Sequence, residues 1–452
     1  SGSDHLPIKI SLNIAAKTRK KFVRYTMKRS LRGLNINKFK SDLAQCRWED
    51  LVMCSNVDEM TQKYEQFVAH TLDAHAPIKK IKIRSNYQFA LSDEVKEKMR
   101  ERDKTRQLAV NARGNEKIVF FEKYRRLRNL CNRLVRRDSK CALANKIIEK
   151  AGREDVLWKE IKNITNPRTE TTFKLNDNGR TINDEREISN IFNEFFVAKV
   201  RKLRAEIPDD LKDDPCSKIK ETIGSTRANA FSFRTVSESE VLKSITQLKS
   251  KRSTGIDGIS PFMLKQIATV VTTPLTFIIN TAITSGTFPE TWKHSKVTPI
   301  LKRGDPTVVS NYRPVSCLPA ASKVLEKVLL KQLQYYFEEN HLLPSQQHGF
   351  RAGRSTITAL ASMVAEWAQN HESNNHTGVL LWDLSAAFDT LDVNILCQKL
   401  KLYGANDRAV RLLNSFLTNR RQQVRIGDTL SEIKTTSIGC PQGSLLSPLL
   451  FL

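Results

Sequence analysis

Residues 377–392, Thr-Gly-Val-Leu-Leu-Trp-Asp-Leu-Ser-Ala-Ala-Phe-Asp-Thr-Leu-Asp, constrain the fold more than any other stretch of the chain. Val379, Leu381 and Asp383 share one face at a period of two, and Leu380 and Trp382 share the other. Apolar residues on both faces predict a strand buried on both sides, and such a strand belongs inside a layered sheet. This one ends in a carboxylate. A lone Asp after an apolar run also serves as a helix cap or an ion-paired strand end, so its chemistry depends on the rest of the chain.

The chain has 452 residues with 40% hydrophobic content, enough for two or three domains with a sizeable core. Lys and Arg number 74 against 48 Asp and Glu, a net charge of +26 that calls for a polyanionic partner, most simply nucleic acid. The excess is uneven: residues 1–40 hold 11 basic and 1 acidic side chains, and residues 101–150 hold 15 and 6. The eight cysteines form no C-x-x-C pair and have no His at zinc-ligand spacing, the pattern of reduced intracellular thiols. No run approaches 18 consecutive apolar residues, and no charged leader precedes an apolar core, so a soluble intracellular protein without a membrane partner is expected. Both ends read as cuts through larger domains.

Ser3-Asp4-His5 precedes an alternating run and serves equally as a turn into a strand. The cluster containing Lys20, Lys21 and Arg24 is dense enough in one sign to need a polyanion or full solvation. Helical spacing follows through Phe39, Leu43, Leu51, Met60, Tyr64, Val68 and Leu72, with Pro77 as the stop. Ser92 caps a helix that breaks at residues 111–115. A second helix, residues 116–150, carries an apolar stripe and the arginines Arg125, Arg126, Arg133, Arg136 and Arg137, a set suited to a phosphate backbone. Asn166-Pro167 begins a linker, Asn178-Gly179 marks a hairpin, residues 188–196 a short helix and residues 205–229 a loop.

Ser237-Glu-Ser-Glu240 is a capping box that opens a new domain. Residues 249–261 form a basic, glycine-containing loop without the spacing of a Walker phosphate loop. Two strands, 295–302 and 311–316, meet in a basic turn that brings Lys302 near Arg313, cations able to hold a triphosphate. A helix over 320–340 and a glycine-flexed turn at 347–356 lead back to the acidic strand.

These segments together resemble the reverse transcriptase of non-LTR (LINE-type) retrotransposons, in the jockey or chicken-repeat-like groups. Six landmarks stand in order: Ser-Thr-Gly-Ile-Asp-Gly-Ile at 253–259, Phe-Pro-Glu-Thr-Trp-Lys at 288–293, Asn-Tyr-Arg-Pro-Val-Ser at 311–316, Gly-Phe-Arg at 349–351, Asp-Leu-Ser-Ala-Ala-Phe-Asp at 383–389 and Pro-Gln-Gly-Ser at 441–444. The resemblance implies an α+β fold: a helical basic region at 13–166 that binds nucleic acid, a connecting segment at 167–235, right-hand fingers at 236–376 and a partial palm at 377–452. Residues 1–12 resemble the close of an apurinic-type endonuclease, which makes Asp4 and His5 hydrolytic remnants.

It further implies Asp383 as the first of three metal-binding aspartates for Mg²⁺ or Mn²⁺ in two-metal nucleotidyl transfer. Phe388 matches an aromatic gate against a ribose 2′-hydroxyl, with Asp389 capping the next helix. Gln442 and Gly443 match the loop against the incoming nucleotide, and Lys302 and Arg313 match triphosphate contacts. The other two aspartates belong to an Ala-Asp-Asp hairpin that does not occur before Leu452. The implied partners are an RNA template, a DNA primer or target and deoxynucleoside triphosphates, with action in the nucleus. The alternative is a catalytically dead nucleic-acid-binding remnant or the product of a decayed element.

Overall fold

The computed structural model describes residues 25–29, 31, 33–82, 91–149, 173–177, 180–206, 214–223, 230–384 and 386–452. In chain order the elements are strand β1 (Tyr25–Arg29), helices α1 (Ile36–Ala44) and α2 (Val57–His75), strand β2 (Ile78–Lys82), helices α3 (Asp93–Asn111) and α4 (Gly114–Glu149), strands β3 (Leu175–Asp177) and β4 (Arg180–Ile182). Helices α5 (Glu185–Ala205), α6 (Ser217–Ile223), α7 (Glu238–Thr246), α8 (Pro261–Gln266) and α9 (Ala268–Ser285) follow, then strands β5 (His294–Leu301) and β6 (Tyr312–Cys317). Helices α10 (Ala320–Glu339), α11 (Thr356–Glu372), α12 (Val393–Leu402) and α13 (Asp407–Leu417), strands β7 (Arg420–Ile426), β8 (Thr429–Leu430) and β9 (Lys434–Thr436), and helix α14 (Ser447–Phe451) complete the chain. The α+β class holds.

Two compact units result, Ser1–Thr26 with Lys80–Thr172, and Met27–Lys79 with Phe173–Leu452. In the first, α3 and α4 form a helical hairpin. Ser92 accepts from the Val95 amide and caps α3, as its position before an acidic first turn dictates. The two helices bury Val95, Ala109, Leu127, Cys131 and Leu134 along their seam. Across it Arg137 donates to Glu94 at 2.6 Å, and the Ser92 amide donates to Asp138 at 2.8 Å.

In the second unit the sheet runs β6-β5-β7-β8, with β9 pairing β7. β5 lies antiparallel to β6 and parallel to β7. Helix α5 covers one face, burying Ile188, Phe192 and Phe196 against Val297, Tyr312, Val424 and Ile426. The larger core gathers α1, α2, α7 to α10, α12 and α13. At its centre α9 presents Val271, Leu275, Ile278, Ile279 and Ala282 at 0% exposure. This 18-residue helix is long and apolar enough to cross a membrane, yet it is built into the core. The Ser237 capping box closes as the sequence reading has it, with Ser237 accepting from the Glu240 amide while Glu240 accepts from the Ser237 amide.

Three differences from the sequence reading have physical causes. Residues 217–223 are helical within the expected loop, and Cys216 just before them is buried. The helix beginning near Ile188 runs on to Ala205, because its apolar positions continue past Phe196 through Val197. The third is the acidic strand itself: residues 377–384 take neither strand nor helix.

Candidate nucleotide platform

The site is built where two stretches distant in sequence cross. Residues 386–391 turn tightly, with the amides of Asp389 and Thr390 donating to the Ala386 carbonyl at 2.8 and 3.2 Å. Against this turn lies the loop 438–446. The Cys440 amide donates to the Phe388 carbonyl at 2.7 Å and the Gly439 amide to the Leu391 carbonyl at 2.9 Å. Gln442 Nε2 donates to Asp389 Oδ1 at 2.8 Å. A Cβ on Gly439, at φ +76°, would stand 2.5 Å from the Asp389 carbonyl oxygen, so the approach of the two backbones requires glycine.

The same loop is tied to the edge strand of the sheet. The Ser316 amide of β6 donates to the Gln442 carbonyl at 2.8 Å. Gly443 has φ +132°, and a Cβ there would collide with the Ser316 carbonyl oxygen. On its far side Ser444 Oγ and the Leu445 amide both donate to Glu326 Oε2, each at 2.6 Å. Phe388, Asp389, Gln442 and Gly443, four residues singled out by the sequence, are thus one connected structure.

The hairpin of β5 and β6 has the register Ile300↔Arg313 and Leu301↔Tyr312, and the Lys302 amide donates to the Asn311 carbonyl at 2.9 Å. Residues 300 and 302 share a face with 311 and 313, so Lys302 and Arg313 are diagonal neighbours, both exposed. The Asp389 carboxyl is pushed up from its ordinary range by burial, and the Gln442 bond and the charges of Lys199 and Lys302 pull it part of the way back. A cavity of about 220 Å³ opens beside this platform between α5 and the sheet, lined by Phe196, Arg420, Gln422, Ser437, Asp389 and Gln442 among others.

Two expectations are corrected. Asp383 does not end a buried strand. Leu380, Leu381, Trp382 and Leu384 are 74, 84, 84 and 67% exposed, and Asp383 is exposed with them. A strand apolar on both faces forms only with hydrogen-bonding neighbours at its edges and layers over both faces, and none of the described strands pairs with this stretch. Nor does Asp389 cap the following helix. Asp392 does so, accepting from the amides of Asn394 and Ile395 at 2.8 and 3.1 Å, while Asp389 is engaged by Gln442.

Of the remaining landmarks, several hold the frame. Phe288 and Trp292 are fully buried, Lys293 donates to the Thr418 carbonyl at 3.2 Å, and Arg351 is ion-paired with Glu338. The 253–259 loop is pinned by Lys296 Nζ, which donates to the Gly255 carbonyl at 2.6 Å and to Thr254 Oγ1 at 3.1 Å. Arg125, Arg126, Arg133 and Arg136 are exposed on α4, whereas Arg137 is held by Glu94 and Asp138 across the hairpin. Asp4, His5, Lys20, Lys21 and Arg24 lie outside the described residues, as do the Asn166-Pro167 linker and the Asn178-Gly179 turn. Sequence reasoning missed Glu326, although a carboxylate amid Val324, Leu325, Val328 and Leu329 on an otherwise apolar helix face is a visible signal.

Residues 300–452, which contain this platform, match the family model of reverse transcriptases, RNA-dependent DNA polymerases. Among curated proteins the chain is 32% identical over 214 residues to a probable RNA-directed DNA polymerase from transposon BS of Drosophila melanogaster, covering 47% of this chain and 23% of that one. It is 31% identical over 219 residues to the corresponding X-element protein of the same species, with 47 and 23% covered. The RNA-directed DNA polymerase of mobile element jockey from Drosophila funebris is 24% identical over 428 residues, 93% of this chain and 46% of that protein. Residues 300–452 thus match a reverse transcriptase domain, and the relatives are RNA-directed DNA polymerases of transposons and mobile elements, among which the jockey group fits. The chain spans between about a quarter and a half of the length of these relatives.

Proposed function

We propose that this chain is the nucleotide-binding and nucleic-acid-binding portion of an RNA-directed DNA polymerase that copies element RNA from a DNA primer at a chromosomal target. The observation that carries the reading is the junction of Phe388-Asp389 with Gln442-Gly443 beside the exposed cations Lys302 and Arg313. In this reading Lys302 and Arg313 bind the triphosphate by charge-assisted hydrogen bonds. The backbone at Gly443 allows close approach of the base, and Phe388 stands against the sugar. Phe388 is wedged between Phe350 and Phe451, with ring centroids at 6.2 and 5.1 Å, which gives it a fixed position for discriminating a 2′-hydroxyl.

Helix α4 supports the nucleic-acid contact. Arg125, Arg133, Arg136 and Lys140 recur at helical spacing on the side opposite the buried Leu127, Cys131 and Leu134. At a rise of about 1.5 Å per residue they span roughly 22 Å, several phosphates of a single strand. Asp4 and His5 fit the close of an endonuclease that would nick the target, with the whole protein acting in the nucleus.

Reverse transcriptases generally use divalent metal ions. Among the described residues no group of three or more His, Cys, Asp or Glu side chains could hold one, and Asp383 is an exposed single carboxylate. The described residues therefore do not make a two-metal centre. The binding of labelled deoxynucleoside triphosphate to the chain with a primer and template tests the reading. Lys302→Ala with Arg313→Ala is expected to weaken it about ten-fold or more by loss of charge-assisted bonds. Unchanged affinity would refute the assignment of these cations.

A further inference from the structure

Among the described residues Glu326 is the one buried carboxylate, and its hydrogen bonds lead to the 438–446 loop and to its own helix. It is 0% exposed, on a helix face otherwise made of Ala321, Val324, Leu325, Val328 and Leu329. Its Oε1 accepts from Ser322 Oγ one turn back at 3.0 Å. Its Oε2 accepts from Ser444 Oγ and from the Leu445 amide, 118 and 119 residues away, each at 2.6 Å. Ser444 Oγ accepts in turn from the amides of Leu446 and Ser447, at 3.0 and 3.1 Å, where helix α14 begins. The buried guanidinium of Arg420 on β7 feels the same charge.

Burying a carboxylate is costly unless hydrogen bonds satisfy it, and this one is satisfied only while the loop stays where it is. From Gln442 onward the loop is consequently fixed at three points, by β6, by the 386–391 turn and by α10. The Ser316 amide holds the Gln442 carbonyl, Asp389 holds the Gln442 side chain, and Glu326 holds the two residues that follow Gly443. The first two bonds fix Gln442 itself. The third fixes the direction in which the chain leaves it, through a glycine that has no steric preference of its own.

We propose that Glu326 is a positioning residue for the nucleotide platform: its buried carboxylate sets where Gln442 and Gly443 stand, acting through Ser444 and Leu445 without touching the nucleotide. The proposal rests on the reading of this loop as the nucleotide contact. Hydrogen–deuterium exchange of the 452-residue chain tests it together with equilibrium binding of a deoxynucleoside triphosphate. In Glu326→Ala and in Ser444→Ala, exchange in peptides covering 441–452 is expected to accelerate at least ten-fold, while the core helix 268–285 keeps its wild-type rate. Nucleotide affinity is expected to fall about ten-fold in the same variants.

Glu326→Gln, which retains shape and one acceptor, guards against a variant that fails to fold. It is expected to show a smaller acceleration of the loop, about two- to five-fold, and a correspondingly smaller loss of affinity. Loop exchange at the wild-type rate in Glu326→Ala or Ser444→Ala, or acceleration of the loop and helix 268–285 together, would overturn the proposal. A wild-type chain that binds no nucleotide, with the loop still accelerated in the variants, would refute the nucleotide reading and leave Glu326 as the anchor of the loop alone.

Discussion

Residues 377–384 and residues 438–446 both deliver a predicted site residue, Asp383 in one case and Gln442 in the other, and their fates differ. The second stretch has no regular structure over most of its length, yet its backbone is bonded to Phe388, Leu391 and Ser316, and its end to Glu326. The first has the stronger strand pattern in the sequence and lies exposed. The difference shows that fixation comes from partners and not from propensity. A loop can be rigid when every amide near it has an acceptor at hand, and an apolar run cannot be a strand without edges to pair.

The contrast can be broken by substitution, beginning with the largest effect. Leu446 is 0% exposed behind the loop, and Leu446→Ala should lower unfolding stability by about 2–5 kcal/mol through cavity formation, measured by urea denaturation. Gly443→Ala places a Cβ against the Ser316 carbonyl in a backbone region unfavourable to L-residues, with an expected cost of about 1–3 kcal/mol. A Gly443→Ala chain as stable as wild type would show that the close approach to β6 is not a constraint.

Asp389 sharpens the comparison through pH. Its pKa is raised in the folded chain, so the native state binds its proton more tightly than the unfolded state does. Stability from this group is greatest at low pH and falls as pH rises from the ordinary Asp value of about 3.9 through the raised one. Asp389→Asn should flatten that part of the urea-midpoint profile, and a profile identical to wild type would remove Asp389 from the buried side of the comparison. At the small end, Leu381→Ser should change stability by no more than about 0.5 kcal/mol, because the side chain is 84% exposed. A loss comparable to that of Leu446→Ala would mean that residues 377–384 are packed in solution.

Much of the frame was legible in the sequence because its signals are local. Ser92 and Ser237 sit where caps are needed, the α3 to α4 break falls at 112–113, and the β5 to β6 register brings Lys302 and Arg313 to one face. The order of six short landmarks carried the family. What was not legible depends on contacts between residues far apart. The bond from Gln442 to Asp389 spans 53 positions and that from Ser444 to Glu326 spans 118, and no periodicity announces either. The strand expected to end at Asp383 is absent for the opposite reason. Its local pattern is clear, and the tertiary neighbours that would turn pattern into strand are not among the described strands.

In the proposed reading the nucleotide platform is formed in this chain while Asp383, exposed, is not seated beside it. Single-nucleotide extension of a labelled primer on an RNA template, with Mg²⁺ or Mn²⁺ and with Asp383→Ala in parallel, tests it most directly. The expected result is no extension by either chain under conditions in which the nucleotide binds. Extension by the wild-type chain, abolished by Asp383→Ala, would contradict it.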